Sequence, residues 1–201
     1  MDKTVIEEID LYFKYMGSMR ESISSLSSDE KDFIPHLKHL ACVGLLDTMA
    51  KCVSNPKFTN YRRFTEFVKI FCEWGDHSKI SLPHLVRFLQ LVPSPDFEPL
   101  RKFANIKLSK WIHGSTHYLD SDPIYQEVLR LWPKDNEHKE PLEKLSLESI
   151  AHLSLLWKFR NSIVHELQIP GYGMPALVAK KPGYHSMTNH TGIHKENPIE
   201  T

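Results

Sequence analysis

Apolar residues recur at helical spacing over roughly residues 1 to 167, and that period restricts the chain more than any other feature, because it calls for helices that bury one face each. The densest run lies between Phe33 and Val53, where Leu37, Leu40, Ala41, Val43, Leu45, Leu46 and Met49 cover the helix almost all round. It predicts a central, buried helix, opened by Ser27 and Glu30 at capping-box spacing. Before it, Val5, Ile9, Phe13 and Met16 mark an amphipathic helix over residues 4 to 20, with serines 22 to 28 as its break.

Further helices follow. Thr59 or Asn60 caps one carrying Tyr61, Phe64, Phe67, Val68 and Phe71, with Arg62, Arg63 and Lys69 outward and Trp74-Gly75 as its stop. Ser81 with Pro83 opens a short helix to Val92. Residues Glu98 to Ile112 form the next, with Arg101, Lys102, Lys107 and Lys110 outward, and Asp122-Pro123 starts another to Trp132. Pro133 to Pro141 reads as a charged loop, after which Ser146 caps a last helix through Ile150, Leu153, Leu156, Trp157, Ile163 and Val164. The expected fold is all-α: a helical domain over residues 1–168, then an irregular C-terminal extension over 169–201 with room for a hairpin across Gly171 to Tyr184 and a His-rich end.

At 201 residues, 41% of them apolar, the chain has the means to bury one real core. Twenty-five acids balance twenty-five bases, so any nucleic-acid contact must come from a local basic patch rather than a global field. Cys42, Cys52 and Cys72 form no ligand spacing and sit among apolar neighbours, which predicts buried thiols in a reducing cytoplasm. The first residues carry acids and no cleavage site, and no window approaches a membrane span, so neither export nor membrane association is expected.

The chemistry concentrates in LLWKFRNSIVHE. Asn161 and His165 share one helix face, and Arg160 beside them is long enough to reach over it. Cleaving RNA without a metal needs an acceptor for the 2′-OH proton, a donor for the 5′-oxygen and a cation for the phosphate. Imidazole exchanges protons near neutrality, and guanidinium matches phosphate oxygens while staying charged. One helix end supplies one histidine, so a two-fold dimer would complete an acid–base pair. The same two residues can instead stabilise a helix C-terminus and bond its last carbonyls.

Arginine, a polar residue, three variable residues and histidine, late in an all-α domain, resembles the HEPN superfamily, and the LLWKF stretch before it and the IPGYGM segment after it add to the likeness. The resemblance implies a dimeric helical bundle with metal-independent endoribonuclease activity leaving a 2′,3′-cyclic phosphate, in a prokaryotic defence or toxin–antitoxin setting. Arg160, Asn161 and His165 would be the catalytic residues, Arg160 on the phosphate, His165 in proton transfer and Asn161 orienting substrate or Arg160. RNA, a second copy of the chain and an antitoxin or defence-system protein are the implied partners, with no cofactor and no metal. Leu167 stands where one subgroup carries a modifiable tyrosine, so regulation by that route is not expected. The competing expectation is a non-catalytic module of the same fold that dimerises or binds a nucleotide or partner. An unrelated helical adaptor, with Arg160 and His165 on separate faces, is a third.

Asp47 lies inside the most apolar helix, where an unpaired carboxylate is costly, so a cation or a cleft should meet it, and Arg160 is the natural candidate. Asp47, Arg62, Arg63 and Lys158 are therefore candidate substrate-binding residues, although a basic helix face is more often just solvated. His36, His39 and Cys42 diverge around a helix, and His113 and His117 flank Gly-Ser-Thr rather than a metalloprotease glutamate, so neither set reads as a metal site. His185, His190 and His194 belong to the polar tail and receive no role.

Overall fold

Seven α-helices carry nearly all the regular structure among the residues that the computed structural model describes: 3–27, 34–112, 115–133, 146–166 and 183–185. They are α1 (Lys3–Ser25), α2 (Ile34–Val53), α3 (Asn60–Phe71), α4 (Leu82–Leu91), α5 (Glu98–Leu108), α6 (Tyr125–Leu131) and α7 (His152–Glu166). The fold class is all-α, as the helical period requires. The boundary expected at 168/169, Leu167, the loop beyond Pro133, Glu30, His113, His190 and His194 lie outside the described residues.

The chain divides into two compact units, one comprising Met1–Cys72 with Trp157–Pro170, the other Glu73–Leu156 with Gly171–Thr201. In the first, α1 packs on α2 and α2 on α3. Its α1–α2 core is Met16, Ile23 and Leu45, flanked by Tyr12, Ala41 and Met49. The serine-rich stretch does not break α1 where expected. Ser22 and Ser24 return their hydroxyls to the carbonyls four residues back, so the helix accommodates them and runs on to Ser25. Nor is α2 buried all round: Val43, Leu45 and Ala50 are covered while Leu37 is 50% exposed, because only part of its circumference meets α1 and α3. The cysteine expectation also fails, since Cys42, Cys52 and Cys72 are all exposed. Apolar neighbours in sequence do not decide which side of a helix a thiol takes. Cys52 accepts a hydrogen bond from the Tyr12 hydroxyl at 3.0 Å, and burial with that bond pushes the phenol up to about 12.

Thr59 caps α3 through the Arg62 N–H, and the helix stops at Cys72, just before Glu73 takes a positive φ of 47°. The chain therefore turns one residue ahead of Trp74-Gly75.

The second unit is built around Ile80, Leu82, Leu85, Leu100 and Val128, all fully buried. Here Asp122 does something other than start α6. It is buried, accepts the Leu82 N–H at 3.2 Å at the head of α4, and meets His152 Nε2 at 2.7 Å, while Ile124 takes the cap position of α6. The last helix is likewise split: Leu147–Ile150 is a 3₁₀ turn, Ala151 is extended, and α7 starts at His152. The break is tertiary in origin. Ala151 bridges Ile80, the Ser81 N–H donates to Ile150, and the His152 and Leu153 N–H groups donate to Lys79 and His77.

Arg101, expected outward, turns back to donate to the carbonyls of Leu89, Val92 and Ser94, which close the end of α4. A short strand at Thr116–Tyr118 (β1) pairs antiparallel with Gly183–His185 (β2), so His185 takes part in a strand pair rather than a loose tail. His117 lies in β1 and stacks on Trp111 at 4.4 Å, away from any helical metal motif.

Candidate functional site

The candidate site lies wholly in the first unit, on the second half of α7 with α2 and α3. Trp157, Asn161 and His165 follow one another at four-residue spacing and Arg160 lies three after Trp157, so the helix lines all four along one stripe. The first residues of that stripe are packed and the last is open: Arg160 is buried, Trp157 and Asn161 are half-buried, and His165 is exposed at the helix end.

Arg160 is the hub. Its Nε donates to Asp47 Oδ2 at 3.0 Å and its Nη2 donates to the same oxygen. Its Nη1 donates to Asn161 Oδ1 at 3.0 Å and lies 3.3 Å from His165 Nε2, and its guanidinium carbon sits 5.0 Å from the centre of the Trp157 ring. A carboxylate inside α2 is thereby balanced: the Asp47 and Arg160 side chains are only 15% and 11% exposed. Removing either partner of such a pair leaves the other charge poorly solvated.

The histidine contact has a chemical implication. Guanidinium nitrogens only donate, so in this contact His165 Nε2 is placed as the acceptor. Of the five N–H groups on the guanidinium, four are directed at Asp47, Asn161 and His165, leaving one on Nη2 among the described residues.

The structure brings Arg160, Asn161, His165 and Asp47 together. It does not bring Arg62 and Arg63 into direct contact with them. The Arg62 guanidinium lies over the Phe58 ring at 3.8 Å, and Arg63 Nη2 donates to the Pro56 carbonyl, both on the turn that leads into α3. Lys158 is exposed on α7 next to Trp157.

Two aromatic residues that the sequence reading placed only in helix faces belong to this cluster. Trp157 meets Tyr61 edge to face at 5.6 Å and Phe64 at 5.5 Å, joining α7 to α3. The four-residue step from Trp157 to Asn161 was the available signal for the first; nothing in the sequence marks Tyr61. Phe159 of α7 meets His39 of α2 at 5.7 Å, which gives that histidine an aromatic packing partner. Among the described residues no group of three or more His, Cys, Asp or Glu side chains is placed to hold a metal ion, and no helix is long and apolar enough to cross a membrane.

No family model, no curated protein and no solved structure matches this chain.

Proposed function

We propose that the chain is a metal-independent endoribonuclease of HEPN type, acting as a dimer in the cytoplasm within a prokaryotic defence or toxin-type system. One observation carries the reading: a buried, carboxylate-anchored guanidinium contacts an exposed histidine at 3.3 Å. In the proposed reaction the substrate phosphate takes over the Arg160 Nη1 N–H that points at His165, and the freed Nε2 lone pair accepts the proton of a ribose 2′-OH as O2′ attacks the adjacent phosphorus. The P–O5′ bond breaks, and the 5′-oxygen takes a proton from the imidazolium of a second copy, leaving a 2′,3′-cyclic phosphate and a 5′-hydroxyl. Arg160 offers its remaining Nη2 N–H to the phosphate oxygens, while Asp47 and Asn161 hold the plane of the fork.

A second reading has its own observation. With four of its five donors engaged inside the protein, Arg160 can serve as a structural tie, and the same face would then bind a nucleotide or a partner without cutting it.

The deciding experiment is cleavage of mixed RNA by the purified chain in EDTA, with His165→Ala as the principal variant, because His165 is exposed and its loss is expected to leave folding intact. Cutting by wild type with cyclic-phosphate ends, lost in His165→Ala, supports the nuclease. Binding of RNA without cutting by either protein moves the assignment to the non-catalytic module, and equal cutting by both places the activity elsewhere.

A further inference from the structure

A continuous aromatic path leads out of the arginine hub. Arg160 rests on Trp157 at 5.0 Å, Trp157 meets Tyr61 at 5.6 Å, and Tyr61, in the first turn of α3, keeps 44% of its surface exposed. The mount is firm: Thr59 caps the helix through the Arg62 N–H, and Arg63 ties the preceding turn through the Pro56 carbonyl. Next in the chain, the Arg62 guanidinium carbon lies 3.8 Å from the centre of the Phe58 ring, which holds a cation beside Tyr61 on the same turn. With acids and bases equal in number, the chain has no net field with which to hold RNA, so affinity must come from contacts that do not depend on it. An exposed ring beside a cation is what proteins use to hold an unpaired base and its backbone.

We propose that Tyr61 is the stacking platform for a base of single-stranded RNA adjoining the scissile phosphate, with Arg62 on the neighbouring backbone, a subsite that rests on the ribonuclease reading of Arg160 and His165. The substrate class is then unpaired RNA. A duplex keeps its bases stacked on one another and offers none to the ring.

The test uses the full chain, a mixed pool of single-stranded RNA decamers for cleavage in EDTA, and the same pool fully 2′-O-methylated, which lacks the nucleophile, for binding. Tyr61→Ala is expected to raise both Kd and KM by about 5- to 150-fold, the range of one lost base stack, with kcat near wild type. Tyr61→Phe keeps the ring and should bind as wild type does. Tyr61→Leu, which retains bulk against Trp157 without a π face, should behave as the alanine variant and replaces it if that variant melts early. Methylated duplex of the same length should bind weakly and equally to wild type and Tyr61→Ala. Unchanged Kd and KM in Tyr61→Ala or Tyr61→Leu, or a preference for duplex, overturns the platform while leaving the nuclease in place. Wild type that binds the methylated pool but cuts nothing removes the nuclease, and the same Kd ratios still decide the platform. Wild type that neither binds nor cuts removes both.

Discussion

Two acid–base contacts involve α7, and they differ in one respect that matters. At its first residue, His152 meets Asp122 at 2.7 Å with side chains 2% and 0% exposed, Trp74 stacks on the imidazole, and Asp122 also closes the head of α4. Eight residues on, Arg160 meets Asp47 with side chains 11% and 15% exposed, and its hydrogen bonds continue through Asn161 to an exposed histidine. The first contact is sealed: it joins three stretches of the second unit and no reactant can reach it. The second opens to solvent through His165. Similar chemistry therefore separates into a clasp and a candidate site according to whether the hydrogen-bond chain ends inside the protein or at its surface.

Substitutions ranked by stability should expose that contrast. His152→Ala strands the Asp122 carboxylate in the interior and should cost about 3–5 kcal/mol, read as the largest fall in denaturation midpoint of the set. A loss below about 1 kcal/mol would mean that water reaches Asp122 and that the clasp is not sealed. Arg160→Ala strands Asp47 at a wetter position and should cost about 2–3 kcal/mol, and it should also abolish RNA cleavage. Asp47→Asn, which keeps an acceptor for the guanidinium, should lose less than half of that in the same melts.

His165→Ala inverts the pattern. Its stability should stay within about 0.5 kcal/mol of wild type, since the residue is exposed, while cleavage falls by about 10²- to 10⁴-fold. A destabilisation comparable to Arg160→Ala would make His165 part of a structural tie and weaken the distinction between the two contacts.

The smallest effect concerns pH. The Tyr125 hydroxyl donates to Glu148 at 2.5 Å, which pushes the phenol up to about 12 and holds the carboxyl below its ordinary value of 4.5, with a backbone hydrogen bond helping. For the lowered carboxyl, the stabilisation is present above pH 4.5 and is lost as pH falls through the lowered value. For the raised phenol it is complete below pH 10 and is lost as pH rises towards 12. Tyr125→Phe should flatten both limbs of a stability–pH curve slightly, because the pair is partly solvated. Unchanged limbs would show that solvent screens the bond entirely.

The helices were legible because their period is local: apolar spacing and caps such as Thr59 and Ser81 sit within a few residues of what they govern. The misreadings share a different cause. Asp122 looks like a helix start, yet its oxygens serve Leu82 and His152, 40 and 30 residues away. Ser146 looks like the cap of a long helix, yet pairing with Ile80 pulls Ala151 out of it. The pairing of β1 with β2 joins segments whose separation in the chain hides it from any local pattern.

By itself the sequence determined that the chain is helical, and that Arg160, Asn161 and His165 ride together near the end of one helix, since both follow from the 3.6-residue period. Only the tertiary structure decided what those residues meet. Asp47 lies 113 positions from Arg160, and Tyr61 reaches the site through Trp157. Such contacts depend on how helices pack rather than on what lies nearby in the chain, and they set the contact of His165 Nε2 with Arg160 and the buried seat of the guanidinium.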